Sequence, residues 1–229
     1  MPTIGARRSG ISFAMTAPER FAAEGVQGFL HRPVGGADAG LVLTHGAGGD
    51  CTMPLLVAAA NAFCAAGYDG LRCDLPFRQR RPKGPPSPAG AAADRAGLRQ
   101  AVAALRALGP RRIVLGGQSY GGRQATMLAA EQPDLETTLL LFSYPLHPPG
   151  KPERLRIAHF PRLRVPCVFV AGTVDPFAAP GELRDAIAAI PAFTEVITID
   201  GAGHDLKRGR FDLAPVVAAM SRAEAAASG

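Results

Sequence analysis

A chain of 229 residues with 47% hydrophobic content can bury one sheet between two helical layers, and no run approaches the roughly 18 apolar residues a membrane span needs. The formal charge of +6 comes from 25 Lys and Arg, 22 of them Arg, against 19 acids; with no nucleic-acid-binding module and no basic stripe carrying stacking aromatics, it does not point to nucleic acid. The N-terminal segment lacks an apolar stretch followed by a small-residue cleavage site, and Cys51, Cys64, Cys73 and Cys167 form no C-x-x-C pair, so a cytoplasmic protein with reduced, packing cysteines is expected.

Apolar β-rich runs alternate with Ala-rich helical stretches, the pattern of βαβ units around a mostly parallel sheet in one α/β domain, residues 1–229. Residues 11–15 and 26–30 read as two early strands that could form an antiparallel edge. A short buried strand, 41–44, ends at His45-Gly46-Ala47-Gly48-Gly49 and leads into a helix over 54–66. Residues 68–73 form the next strand, whereas 78–90, rich in Pro, Gly and Arg, reads as a loop that holds neither ladder nor helix. A helix over 91–108 precedes a strand at 112–116, a tight turn at Ser119 and a helix from 122 to 131 that ends before Pro133. Apolar strands at 138–142, 167–171 and 196–199 suit burial on both faces, with helices at 182–190 and 211–227.

The turn Gly117-Gln118-Ser119-Tyr120-Gly121 has the form G-x-S-x-G between a strand and a helix. A serine hydroxyl is a poor nucleophile unless a base takes its proton and donors hold the oxyanion formed on attack. The strained strand-turn-helix corner exposes the serine, and the flanking glycines remove Cβ atoms that would block it. In an α/β-hydrolase fold the acid and the histidine follow the serine, each on a loop after a later strand. Asp175, in Gly172-Thr173-Val174-Asp175-Pro176, is the candidate acid, and His204, in Gly201-Ala202-Gly203-His204, the candidate base. Asp200 and Asp205 compete for the acid's place but read better as turn or capping carboxylates. His31 and His159 read as solvated or core side chains, and His45 as a brace for its loop, with the backbone N–H groups of Ala47 and Tyr120 as the oxyanion hole.

These residues carry a family resemblance. The chain resembles the α/β-hydrolases that include a testis-expressed hydrolase-like protein, a subunit of the NSL histone-acetylation complex and many bacterial members. The likeness covers most of the chain and rests on Thr44 to Gly49, residues 72–81 with their Pro-Phe centre, 117–123, 144–151, and Gly203-His204 with Lys207. It implies kinship with dienelactone-hydrolase-like enzymes, hence an esterase or related acyl hydrolase. Gln118 and Tyr120 stand where the family commonly has Lys and Met, which alters the acyl pocket and leaves the mechanism intact. Some relatives serve in protein assemblies, so a non-catalytic interaction module with a protein partner is the alternative.

The connection from 144 to 166 is too short for a large cap domain. Residues 78–83, 151–164 and 207–210 hold twelve of the 25 Lys and Arg and one acid, Glu153, a basic rim that would attract anionic small-molecule acyl substrates. Arg81 and His147 are candidate substrate contacts, His147 being equally open to a structural hydrogen bond in its proline-rich turn. No metal-ligand spacing or phosphate-binding loop is found, so no cofactor is expected.

Overall fold

Residues 13–135 and 137–227 are described by the computed structural model. The elements alternate along the chain as β1 (Glu19–Ala23), β2 (Val26–His31), β3 (Ala39–Thr44), α1 (Pro54–Ala65), β4 (Tyr68–Cys73), α2 (Pro76–Arg80), α3 (Ala91–Arg106), β5 (Arg112–Gln118), α4 (Tyr120–Glu131), β6 (Thr137–Phe142), β7 (Cys167–Gly172), α5 (Pro180–Ile187), β8 (Thr194–Ile199) and α6 (Ala214–Ala227). The eight strands form one sheet in the order β1-β2-β4-β3-β5-β6-β7-β8. β2 pairs antiparallel with β1 and β4, and all later pairings are parallel.

Strand periodicity of two divides the core. In β6, Leu139 and Leu141 enter one apolar cluster while Leu140 and Phe142 enter the other, and β7 does the same with Phe169 against Val168 and Val170. The first cluster contains Leu98, Ala101, Val102 and Leu105 of α3, an i, i+3, i+4, i+7 stripe, with Leu128 of α4 and Leu183 of α5. The second contains Leu55, Leu56 and Phe63 of α1 and Val216 and Met220 of α6. Helices thus cover both faces, which is why the central strands read as continuous apolar runs. Between β6 and β7 only a short 3-10 turn, Phe160–Arg162, interrupts the loop, so no cap domain stands over the sheet.

Two expected elements are corrected. The first strand of the described chain is Glu19–Ala23; Met15 makes an isolated bridge to Pro33, and residues 11 and 12 lie outside the described residues. β1 is largely exposed and lacks alternation, so its ladder with β2, turned at Gly25 (φ 72°), defines it and leaves no sequence signal. The 78–90 loop begins inside helix α2 and ends in a 3-10 turn, Pro88–Gly90. Pro76 and Pro88 each start a turn, where their fixed φ suits a helix and their missing N–H costs nothing. Phe77 and Arg78 are buried, so tertiary packing holds α2 against the local composition.

Two histidines in the core are held neutral. His31 Nε2 accepts from Arg72 Nε at 2.8 Å, and burial followed by the Arg72 charge lowers its pKa to about 4. Burial, then Arg123 and Arg162, lowers His159 to about 4 as well. Above pH 6.5 both folded and unfolded states leave these rings neutral and no linkage arises. As the pH falls from there toward 4, the unfolded chain binds protons that the folded one refuses, and each ring contributes a loss of stability. Urea midpoints at pH 7 and pH 4.5 should therefore differ strongly, and by less in His31→Gln or His159→Gln. An equal drop in all three chains would refute this account.

Candidate active site

β3, β5, β7 and β8 run parallel, so the loops that follow them leave at one end of the sheet. β5 lies centrally and stops at Gln118. Ser119 follows with φ 51° and ψ −113°, a backbone conformation that costs energy in any residue with a side chain, and α4 starts at Tyr120. The corner is fastened on both sides: Ser119 N donates to Phe142 O at 2.9 Å, and Arg123 N donates to Ser119 O at 2.9 Å. The flanking glycines are required by contact. A Cβ on Gly121 would lie 2.6 Å from the His45 carbonyl oxygen, and one on Gly117 would lie 2.9 Å from the Thr44 oxygen.

The histidine and acid loops are stitched together. Val174 N donates to Ala202 O at 3.0 Å, Gly201 N donates to Thr173 Oγ1 at 2.8 Å, and the Thr173 hydroxyl donates to Asp200 Oδ1 at 3.3 Å. Leu206, Lys207 and Arg208, just after His204, form a left-handed turn with φ of 46°, 51° and 56°. Asp205 caps it by accepting from Lys207 N, buried Leu206 anchors it, and Gly209 packs on α1. Asp200 and Asp205 thus have the turn and capping places read from the sequence.

Within this frame the structure brings Ser119, His204 and Asp175 into one line. The Ser119 hydroxyl lies 2.8 Å from His204 Nε2, and His204 Nδ1 lies 2.8 Å from Asp175 Oδ2 and 3.0 Å from Oδ1. Asp175 is buried and also accepts from Phe177 N at 2.9 Å, while its N donates to Gly172 O. A carboxylate in that position favours the Nδ1–H tautomer, which leaves Nε2 free to accept from the serine. Such a line can move a proton from hydroxyl to imidazole.

Ala47 and Tyr120 line the cavity beside Ser119 and His204, which encloses about 920 Å³. Tyr120 opens α4, where the first N–H groups have no partner within the helix. His45 holds the loop on the other side: Nδ1–H donates to Gly46 O at 2.8 Å and Nε2 accepts from Leu75 N at 3.1 Å, with burial holding its pKa down. Its ring is committed to bracing.

A family model described as an alpha/beta hydrolase domain matches residues 37–227. The chain belongs to the α/β-hydrolase family. Among solved structures, the α/β-hydrolase fold seen here is similar to that of an alpha-beta serine hydrolase homologue from Coxiella burnetii, with 17% identity, 90% of this chain and 96% of that one covered, and a TM-score of 0.65. Dienelactone hydrolase from Anabaena variabilis is similar at 20% identity, 90% and 96% coverage and a TM-score of 0.63. TT1662 from Thermus thermophilus gives 20%, 90% and 97%, and 0.69. At these identities the likeness is one of fold.

Two candidate substrate contacts stand outside the lining of this cavity. His147 does not line it. Its Nδ1 donates to Pro148 O at 2.8 Å and its Nε2 lies 3.2 Å from Glu182 Oε2, the Pro148 bond first and the Glu182 carboxylate after it raising its pKa. His147→Ala should therefore leave ester-hydrolysis kinetics unchanged, and a fall in kcat/KM of tenfold or more would return it to the site. Arg81 also lies outside the lining, exposed, with Nη2 donating to Pro85 O.

The basic rim is corrected with them. Arg78 is buried and serves the loop after β3, donating from Nε to Gly49 O at 2.8 Å and from Nη2 to Ala47 O at 3.0 Å. Arg164 lines a different cavity with Arg111 and Arg112, at the strand ends opposite Ser119. Of the three rim segments only Arg156 supplies a cation to the site cavity; Arg95 of α3 and Arg123 of α4 supply the others.

Several neighbours of the site were not foreseen. Phe177 stacks on the His204 ring, centroids 4.1 Å apart at 30°, and Gln118 Nε2 donates to His204 O at 3.2 Å. Asp94, fully buried on α3, accepts from Phe77 N at 3.0 Å and from the Tyr120 hydroxyl at 2.7 Å, which ties α2, α3 and the start of α4 together. Burial and the Asp94 carboxylate push the Tyr120 pKa up, keeping it a donor. A signal existed for Phe177, two residues past Asp175, and for Arg123, one helical turn past Ser119. None existed for Asp94, a lone acid in an Ala-rich helix.

Proposed function

We propose that this α/β-hydrolase is a serine hydrolase that cleaves carboxylic esters, lactones or thioesters of small molecules through an acyl-enzyme. The observation that carries the reading is the unbroken line from the Ser119 hydroxyl through His204 to buried Asp175, with both links at 2.8 Å. His204 Nε2 takes the serine proton as Oγ attacks the carbonyl carbon, and the charge that forms on the imidazole faces the Asp175 carboxylate. The carbonyl oxygen becomes an oxyanion held by the N–H groups of Ala47 and Tyr120. Collapse expels the alcohol or thiol, which receives the proton from His204. Water then repeats the sequence on the acyl-Ser119 ester, releasing the acid and restoring the serine.

Within this reading the chain belongs with the testis-expressed and NSL-subunit type of α/β-hydrolase, on the five motifs quoted above. It works in the cytoplasm, a location that suits its four free, buried cysteines. No described helix is long and apolar enough to cross a membrane. An interaction module would have no need to keep a 2.8 Å serine–histidine link beneath an open cavity, so the catalytic reading is preferred.

The test is treatment with a fluorophosphonate probe and location of the adduct by mass spectrometry. An adduct on Ser119 that is absent from Ser119→Ala and His204→Ala supports the reading. A folded chain that takes no label refutes it and favours the interaction module.

A further inference from the structure

Three guanidinium groups line the cavity of Ser119 and His204. Arg95 is satisfied within the protein, donating from Nε to Glu131 Oε2 at 2.8 Å and from Nη1 to Gln124 Oε1 at 3.1 Å. Arg123 and Arg156 differ from it. Among the described residues no ion pair joins either to a carboxylate, and the buried Nε of Arg123 has no hydrogen-bond partner. The two are close enough that desolvation and then the Arg123 charge lower the Arg156 pKa. Two like charges, part-buried and facing one cavity without a counter-charge, cost energy that a bound anion would return.

Both arginines stand on fixed supports. Arg123 lies in the first turn of α4, its N donating to Ser119 O at 2.9 Å, and long helical side chains lean back toward the N-terminus. The main chain at Arg156 is clamped: its N donates to Leu146 O at 2.8 Å and its O accepts from the buried Tyr144 hydroxyl at 3.0 Å. Met53, Met127, Pro145 and Phe177 make much of the remaining wall apolar. A largely apolar wall that carries two guanidinium groups without a carboxylate partner suits a short hydrocarbon chain that finishes in a carboxylate, the planar anion that guanidinium forks match.

We infer that Arg123 and Arg156 form a carboxylate-binding subsite, and that the substrate is an ester or thioester whose acyl chain ends in that carboxylate. The inference rests on the hydrolase reading above. The anion belongs to the acyl part because the leaving oxygen has to meet His204 Nε2, on the loop after β8, whereas Arg123 lies along α4. A half-ester of adipic acid, with four methylenes between its two carbonyl carbons, is the probe for such a chain.

The test compares kcat/KM for p-nitrophenyl hydrogen adipate with that for p-nitrophenyl methyl adipate, which differs by the loss of the charge. The expected result is a preference of about tenfold or more for the anion that shrinks as salt is added. Arg123→Gln and Arg156→Gln bring the ratio toward one, while Arg184→Gln, the same charge change on an exposed arginine outside the cavity, keeps it. Calorimetry on the Ser119→Ala chain, which needs no turnover, is expected to detect monomethyl adipate and not dimethyl adipate. A ratio near one with equal binding of the two esters overturns the subsite, as does a preference that both Gln variants keep. Fluorophosphonate labelling without anion preference removes the subsite alone; anion-selective binding without labelling removes the hydrolase reading alone.

Discussion

If the proposed acyl-enzyme mechanism holds, Ser119→Ala is expected to lower kcat/KM for an ester by about four to six orders of magnitude, His204→Ala by nearly as much, and the double variant is expected to be no worse than the worse single one. The hydroxyl and the imidazole share one proton across 2.8 Å, so removing either removes the same event and the losses cannot add. Asp175→Asn acts differently. Its amide presents a donor where the carboxylate accepts from His204 Nδ1–H and Phe177 N, which favours the wrong imidazole tautomer; a fall of about four orders of magnitude is expected with the geometry kept. Any residual rate over water is expected from the proposed oxyanion hole at the Ala47 and Tyr120 amides. Initial-rate kinetics of the four variants measure this, and single losses that multiply in the double variant would show that Ser119 and His204 act in separate steps.

How much of this was legible in the chain follows from how local each signal is. The parallel strands announced themselves because both faces are buried, so β6 and β7 are apolar throughout. The Ser119 corner was legible because its strain and close contacts require glycine at 117 and 121, residues that stand out in a sequence. Asp175 and His204 followed from chain order after that corner. β1 was misplaced because pairing alone defines it, with neither burial nor alternation to mark it. The cavity cations were misassigned because charge density along a segment does not say where side chains point. Arg78, Arg81 and Arg164 looked like one rim with Arg156, yet the first turns inward to backbone carbonyls, the second to Pro85, and the third lines the opposite end of the sheet. Arg123 lies within the 117–123 motif, but its place in the cavity depends on how the first turn of α4 sits over the loops, which the sequence does not state. Asp94 reaches Tyr120 across 26 residues of sequence, a pairing that only the packing of α3 on α4 creates.

The corner also sets the largest effect expected away from the reacting groups. Gly121→Ala should destabilise the protein by about 3 kcal/mol, although alanine is the better helix former by about 1 kcal/mol in a helix interior. The new Cβ would lie 2.6 Å from His45 O and from Thr44 Cγ2 and 3.1 Å from Thr44 O, and two of these three atoms are backbone that cannot swing aside. Relief requires α4 to move off the end of β3, which shifts Tyr120 relative to Ala47; a displacement near 1 Å at these donors costs about a hundredfold in kcat. Gly48→Ala is the control, because a Cβ there meets nothing within 4 Å, and its stability should stay within about 0.5 kcal/mol of the parent. Urea unfolding decides the matter. A Gly121→Ala chain with the parent's midpoint and kcat would mean that α4 has room to yield, and that the glycine serves the flexibility of the turn rather than the contact between α4 and β3.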